Sequence, residues 1–209
     1  MRTKTSIATT TCPNTLAGRF RTACATRLLM LMLLLMLPAV AQAQFTFSTN
    51  ADNTLTVTGY TGTNKVVTIP GTNYGMTVTS IGTWSFFSSS LTNVTIPDSV
   101  TSIGDDAFRN CTSLIKVTIG NSVTNIGGYA FYYCTRLTDI TVGNSVATIG
   151  IGAFSDCTKL ASVTFPDSVT SLANYLFADC LSFTNVSIGN IGHSITNIGI
   201  SAFQSCANL

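Results

Sequence analysis

Apolar and polar residues alternate along this chain in a pattern that repeats every 23 positions. Residues 100–122 are matched column by column by residues 123–145 and again by residues 146–168. The apolar positions of the first of these units are Val100, Ile103, Phe108, Cys111, Leu114, Val117 and Ile119. Thr, Ser, Asn, Gly and Asp fill most positions between them. A fixed period of about 20 to 50 residues predicts a solenoid of stacked structural units.

Each unit holds only short secondary-structure elements. Near its end Val117 and Ile119 alternate with polar residues, which predicts a short strand with one buried face. Its beginning, residues 100–103, predicts a second short extended segment or tight bend, and Gly104 follows where the chain turns. The segment 107–111 is long enough for only about one helical turn. The sequence therefore predicts a β-rich (α/β) solenoid with one or two short strands and one helical turn per coil.

A single unit cannot bury its own apolar columns, but stacked units can, because like residues of successive coils then lie about 4.8 Å apart. Two columns are expected to form the centre of this core. They consist of Phe86, Phe108, Phe131, Phe154, Phe177 and Phe203, and of Cys111, Cys134, Cys157, Cys180 and Cys206.

The pattern LxxVxIPxxVxxIGxxAFxxC recurs over residues 78–209. It resembles the BspA-like class of leucine-rich repeats, which is found on bacterial surface and secreted proteins. The resemblance is specific because several independent columns agree over five units. It implies a right-handed leucine-rich-repeat coil that serves adhesion or protein binding without catalysis.

Three regions are predicted along the chain. Residues 1–43 combine a basic start, a ten-residue apolar run and an AQA motif, which predicts a signal peptide cleaved after Ala43. An uncleaved anchor is the alternative, although ten residues are too few to span a bilayer, which needs about 20. Residues 44–77 predict a capping hairpin and a first strand. Residues 78–209 predict five repeat units and a truncated sixth, which suggests a natural continuation, with a three-residue insertion within 189–194.

Charge changes this picture in one respect. The whole chain has a formal net charge of +2, but after residue 28 it carries five Lys or Arg against eight Asp and no Glu, a net charge of −3. Nucleic-acid binding would need a basic stripe, which the repeats lack. The charged fraction of 9% is low, and a surface of Ser, Thr and Asn suits a secreted or surface-exposed protein.

The repeated cysteines allow two interpretations. Disulfides are common in secreted chains, but residues stacked about 4.8 Å apart are too distant for the usual Cβ separation of about 3.5–4.5 Å. Buried free thiols that act as small hydrophobic groups are favoured. A metal site is disfavoured because CxxC pairs and histidine partners are missing, and the single histidine, His193, is interpreted as a loop residue.

An Asx residue follows Pro or Gly in each unit, and these residues are Asp98, Asn121, Asn144, Asp167 and Asn190. They favour side chains bonded to the turn backbone over a calcium ladder, since calcium needs about 6–8 oxygen ligands. A second set of variable positions is aromatic and consists of Trp84, Phe87, Tyr129, Tyr132, Tyr133 and Tyr175. Exposed aromatic patches mark binding surfaces, whereas partial burial over neighbouring coils is the structural alternative.

The sequence thus favours a secreted or cell-surface module that binds an extracellular protein or a glycan, without catalysis and without a cofactor or metal. It predicts no nucleic-acid partner and no transmembrane span in the mature chain. A structural spacer or display module of a longer cell-envelope protein is the alternative, and a hydrolase or lectin-like accessory is the third. Catalysis is disfavoured because a general base and its partner are not evident.

Overall fold

The computed structural model describes residues 44–188 and 195–209. The predicted signal peptide and the predicted insertion within 189–194 lie outside the described residues. The strands are β1 (Phe45–Thr49), β2 (Leu55–Tyr60), β3 (Val66–Thr68), β4 (Thr72–Asn73), β5 (Met76–Ile81), β6 (Asn93–Thr95), β7 (Ser102–Ile103), β8 (Lys116–Thr118), β9 (Asn125–Ile126), β10 (Asp139–Thr141), β11 (Thr148–Ile149), β12 (Ser162–Phe165), β13 (Ser171–Leu172), β14 (Asn185–Ile188) and β15 (Asn197–Ile198). No helix that could cross a membrane occurs among the described residues.

Parallel pairing between like strands of successive coils confirms the solenoid. On the first strand face β2, β5, β7, β9 and β11 are neighbours in that order, and β13 pairs with β15. On the second strand face the order is β3, β6, β8 and β10, and β12 pairs with β14. Ile103 lies opposite Ile126, and Ile126 lies opposite Ile149, so each coil advances the chain by 23 residues.

At the amino-terminal end of the described chain, β1 and β2 form an antiparallel hairpin. Strand β2 then pairs in parallel with β5, so the hairpin continues the first strand face. The ring of Phe45 packs edge-on against Phe86, with ring centroids 6.4 Å apart. This contact places hairpin side chains over the first coil, while the role of residues 44–77 as a cap stays a prediction.

The centre of the solenoid is a stack of phenylalanine rings. Phe86 is 2% exposed and the next four rings of the column are fully buried, whereas Phe203 in the last coil is half-buried. Neighbouring rings lie nearly parallel: Phe86–Phe108 at 4.7 Å, Phe108–Phe131 at 5.1 Å, Phe131–Phe154 at 5.4 Å, Phe154–Phe177 at 5.7 Å and Phe177–Phe203 at 5.7 Å. The stacking follows from the identical register of each coil, which puts each ring above the previous one.

The prediction of one helical turn per coil is wrong. Residues 105–111 form consecutive turns, in which Asp106 and Asn110 have positive φ angles of 55° and 62°. The N–H groups of Asp106, Phe108 and Asn110 donate to carbonyl oxygens of the following coil. A helix needs continuous right-handed dihedrals and N–H groups directed to the fourth preceding carbonyl. Both conditions fail here, because bonding between coils takes these donors.

We call the stacked turn segments the turn face; they comprise residues 83–89, 105–111, 128–134, 151–157, 174–180 and 200–206. Every joint between successive coils of the turn face keeps three backbone hydrogen bonds in the described chain. The turn face is therefore a continuous hydrogen-bonded surface from the first coil to the last.

The strand faces are interrupted at one joint, between residues 138–149 and residues 161–173, which we call the open joint. By analogy with other coils, Ala161 N–H should donate to Thr138 O, and Thr170 N–H to Ala147 O, but neither bond is made. Neither β10 and β12 nor β11 and β13 pair. A cleft of about 390 Å³, lined by Asp139, Thr141, Ser162 and other residues of β10 and β12, lies there.

The open joint coincides with a change in one column of the sequence. Successive coils place a glycine directly after the first strand, because a Cβ there would meet the backbone of the preceding coil. A Cβ on Gly104 would lie 2.7 Å from Thr83 N, and one on Gly127 would lie 2.5 Å from Asp105 N. The fifth coil carries Ala173 in this column. A methyl group therefore stands at the open joint in the place where the other coils have none.

Candidate functional site

Two columns on the turn face hold left-handed backbone in every coil. The first contains Trp84, Asp106, Tyr129, Gly152, Tyr175 and Ser201, and the second contains Ser88, Asn110, Tyr133, Asp156, Asp179 and Ser205, with φ angles between 53° and 62°. Asn, Asp and Gly tolerate this conformation, whereas a bulky side chain makes it costly. Aromatic residues nevertheless occupy four of these positions. The left-handed backbone recurs in every coil and so belongs to the fold, and the aromatic residues make it costlier at four positions.

The six aromatic residues that the sequence singled out lie along this face, and we call them the aromatic strip. Trp84 is 48% exposed, Phe87 47%, Tyr133 43% and Tyr175 40%. Tyr129 and Tyr132 are half-buried. The rings contact one another in pairs: Trp84–Phe87 at 5.0 Å, Tyr129–Tyr132 at 5.8 Å and Tyr132–Tyr133 at 6.1 Å. Their assignment to a binding surface stays a prediction.

Arg109 lies within the strip, and the sequence reasoning missed it. Its guanidinium carbon is 4.8 Å from the centre of the Tyr132 ring, 5.6 Å from Trp84 and 6.0 Å from Tyr129. The same group donates to Asp106 Oδ1 at 3.0 Å. Arg109 occupies the column of Phe87 and Tyr132, so a cation alternating with aromatic residues was the signal that could have revealed it.

Carboxylates flank the other end of the strip. Asp156 and Asp179 occupy equivalent positions of successive coils, one coil and two coils beyond Tyr133. Both are half-buried, and Ser155 Oγ donates to Asp156 Oδ2 at 3.2 Å. Burial, and then the negative charge of Asp156, raise the pKa of Tyr132 above its usual value. This part of the surface thus combines rings, one cation held in an ion pair, and two carboxylates that form no ion pair among the described residues.

The cysteine column lies beneath this face and its thiols are free. Cys111, Cys134, Cys157 and Cys180 are buried and Cys206 is half-buried. Each thiol donates to the carbonyl of a phenylalanine in the preceding coil: Cys111 to Phe86 at 2.9 Å, Cys134 to Phe108 at 3.2 Å, Cys157 to Phe131 at 3.3 Å, Cys180 to Phe154 at 3.1 Å and Cys206 to Phe177 at 3.1 Å. Burial raises the pKa of Cys111 and of Cys180 to about 12, so these thiols stay protonated at neutral pH.

The Asx column bonds along the stack. Asn121 N–H donates to Asp98 Oδ1 at 2.6 Å, and Asn144 N–H donates to Asn121 Oδ1 at 3.3 Å. Asp98 and Asn121 therefore accept from the backbone of the following coil, which differs from the predicted bonds within their own turns. Among the described residues, no group of three or more His, Cys, Asp or Glu side chains is arranged to hold a metal ion.

Comparison with known proteins agrees with this architecture. Residues 79–209 match the BspA type leucine rich repeat region in six copies. A leucine rich cell surface protein of Faecalibacterium prausnitzii A2-165 is 38% identical, with a TM-score of 0.68, over 79% of this chain and 52% of that one. The chain thus spans about half the length of that protein.

Two further solved structures share the fold. The leucine rich repeat protein of T. pallidum is 26% identical, with a TM-score of 0.69, over 80% of this chain and 88% of that one. A leucine-rich repeat protein of Eubacterium ventriosum ATCC 27560 is 27% identical, with a TM-score of 0.58, over 76% of this chain and 49% of that one. No curated protein matches the chain significantly. The repeat pattern, the coil geometry and these matches together show that the chain belongs to the BspA-type leucine-rich-repeat family.

Proposed function

We propose that this protein is a secreted or cell-surface binding module, without catalysis, that holds an extracellular protein or a glycan against the aromatic strip. The observation that supports the proposal most strongly is the exposure of Trp84, Tyr133 and Tyr175 on strained backbone. Exposed rings in a patch offer large apolar contact area at low entropic cost. The family's occurrence among cell surface proteins supports the same use.

The proposal is tested by replacing aromatic residues without disturbing the backbone. Trp84→Asn and Tyr129→Asn are suitable, because Asn tolerates left-handed dihedrals better than most residues. Tyr74→Asn is the matched control: Tyr74 is 88% exposed, has a φ of 51° and lies in the turn between β4 and β5, away from the strip. The variants are compared for binding to immobilised extracellular matrix proteins and to a glycan array.

Loss of a bound ligand in the double variant Trp84→Asn/Tyr129→Asn, with binding retained in Tyr74→Asn, supports the proposal. Hot-spot aromatic residues cost at least about 2 kcal/mol of binding when removed, equivalent to more than a tenfold loss of affinity. Equal binding by the unmodified protein, the double variant and Tyr74→Asn would contradict the proposal and favour a spacer role for the solenoid.

Secretion is the second part of the proposal and has its own test. The apolar run and AQA motif of residues 1–43 support export with cleavage after Ala43. Expression in a bacterial host should give a mature protein whose amino terminus is Gln44, measured by intact mass. A product that keeps residues 1–43 in a membrane fraction would favour the uncleaved anchor instead.

A further inference from the structure

The contacts of Arg109 show what chemistry the aromatic strip accommodates. One guanidinium group lies over Trp84, Tyr129 and Tyr132 and donates to the carboxylate of Asp106. Aromatic faces attract cations through the negative charge density of the ring, and Arg is the usual partner. The strip therefore already holds one arginine side chain, supplied by the protein itself.

The opposite end of the strip repeats these surroundings without the cation. Tyr133 and Tyr175 are exposed there, and the coil that carries Asp156 lies between the coils that carry the two rings. Among the described residues the ion pairs are Arg109–Asp106 and Lys116–Asp139, so neither Asp156 nor Asp179 has a cationic partner. This end thus offers two rings and two carboxylates.

The two carboxylates lie on neighbouring coils, where a shared cation would relieve the repulsion between them. Asp156 N–H donates to Ala178 O, which puts Asp156 and Asp179 at neighbouring positions of adjacent coils. Like charges directly opposite each other on paired chains destabilise the pairing. Lys159 follows Asp156 by three residues, but it forms no ion pair with either carboxylate. Charge complementarity therefore favours a basic ligand.

We infer that the aromatic strip binds a protein partner through arginine side chains, one of which lies against Asp156 and Asp179 beside Tyr133 and Tyr175. This inference rests on the proposed function, since it names the partner for the same surface. The arginine would reproduce the contacts of Arg109: rings for its guanidinium face and carboxylate oxygens for its N–H donors. An acidic protein would place further negative charge beside both carboxylates, and a glycan would offer hydroxyl donors but no positive charge.

The test uses the mature chain and three octapeptides, in which glycine alternates with arginine, lysine or glutamate. Binding is measured by calorimetry at low and at physiological salt. The variant is Asp156→Asn/Asp179→Asn, and Asn keeps the left-handed backbone of both positions. The control is Asp98→Asn/Asp167→Asn, which removes the same charge from a column where other coils already carry Asn121 and Asn144.

The expected result is binding of the arginine peptide that weakens with salt, exceeds binding of the lysine peptide and is absent for the glutamate peptide. It should fall at least about tenfold in Asp156→Asn/Asp179→Asn and stay within about twofold in the control. No binding of the arginine peptide, or equal loss in both variants, would overturn the inference. Binding of a glycan or neutral protein that depends on Trp84 and Tyr129 but not on Asp156 and Asp179 would overturn it while leaving the proposed function intact.

Discussion

The turn face and the strand faces of this solenoid differ in how they join successive coils. On the turn face every joint of the described chain keeps its three backbone bonds, and the phenylalanine rings stack beneath it without a break. On the strand faces the bonding stops at the open joint and resumes one coil later, where β12 pairs with β14. One side of the stack is thus continuous while the other side is divided.

The difference shows which residues control the distance between coils. The left-handed columns of the turn face hold residues as different as Tyr133 and Asp156, and the three backbone bonds of each joint are kept in both cases. The strand faces require glycine after the first strand, because a Cβ there meets the backbone of the preceding coil. A single methyl group at Ala173 coincides with the interrupted joint.

The largest effect is expected from breaking the continuous side at its centre. Phe131→Ala removes a fully buried ring that stacks on Phe108 and on Phe154. Such truncations cost about 3–5 kcal/mol, and both adjoining interfaces lose contact area. Thermal and denaturant unfolding measure the loss, with the exposed Thr124→Ala as the control. Equal stability of the two variants would contradict the role of the ring column.

A smaller loss is expected from opening a joint that is closed. Gly127→Ala places a Cβ where Asp105 N would be 2.5 Å away, so the coils must separate as they do at Ala173. Overpacking of this kind costs about 1–3 kcal/mol. Hydrogen exchange should show faster exchange of the Thr124 and Gly127 amides, which donate to Thr101 O and Ile103 O. Gly75→Ala, where no atom lies within 4 Å but φ is 77°, shows instead the cost of backbone strain without a steric contact.

A cost of about 1 kcal/mol is expected for Cys134→Ala, because a small buried group is lost. From spacing alone, Ser at this position would bury a hydroxyl without a known partner and would be the worse replacement. In the structure Phe108 O accepts from the thiol at 3.2 Å, so Cys134→Ser keeps a donor and should cost no more than Ala. Unfolding curves compare the variants, and a cost for Ser that exceeds Ala by about 2 kcal/mol would exclude the bond.

The same column makes a prediction about reactivity. Alkylation should modify all five cysteines of the mature chain after denaturation, and in the folded protein Cys206 should react first because it is only half-buried. Burial holds the pKa of Cys134 and of Cys157 well above its usual value, so both should resist the reagent. Intact mass measures the labelling. Rapid labelling of Cys157 in the folded protein would contradict this burial.

The smallest effect should come from closing the open joint. Ala173→Gly removes the methyl group, so the Thr170 and Ala173 amides can approach Ala147 O and Ile149 O as their counterparts do in other coils. Protection of both amides should rise, while stability changes by less than about 1 kcal/mol because added glycine entropy opposes the new bonds. The exposed Ala147→Gly is the control. Unchanged protection would mean that Ala173 does not cause the opening.

The sequence predicts the columns well because burial repeats with the period. Phe131 and Cys134 could be placed in the core from spacing alone. The helical turn was wrongly predicted for a local reason. Left-handed backbone is usually recognised in a sequence by Asn, Asp or Gly, but Trp84, Tyr129 and Tyr133 occupy such positions here. Arg109 was missed because its partners come from three coils, which the sequence does not show as neighbours. The importance of Ala173 could be recognised only from the distance between coils in the structure.

The left-handed columns have a consequence for how such a protein can be altered. Because every joint of the turn face keeps three main-chain hydrogen bonds, the side chains of the left-handed columns add to a connection that the backbone already makes. Six coils with two such columns provide twelve positions whose residues can be exchanged while the core stays the same. Combinatorial libraries at these positions, restricted to Asn, Asp, Gly, Ser and aromatic residues, should therefore yield folded variants with new ligands from a single scaffold.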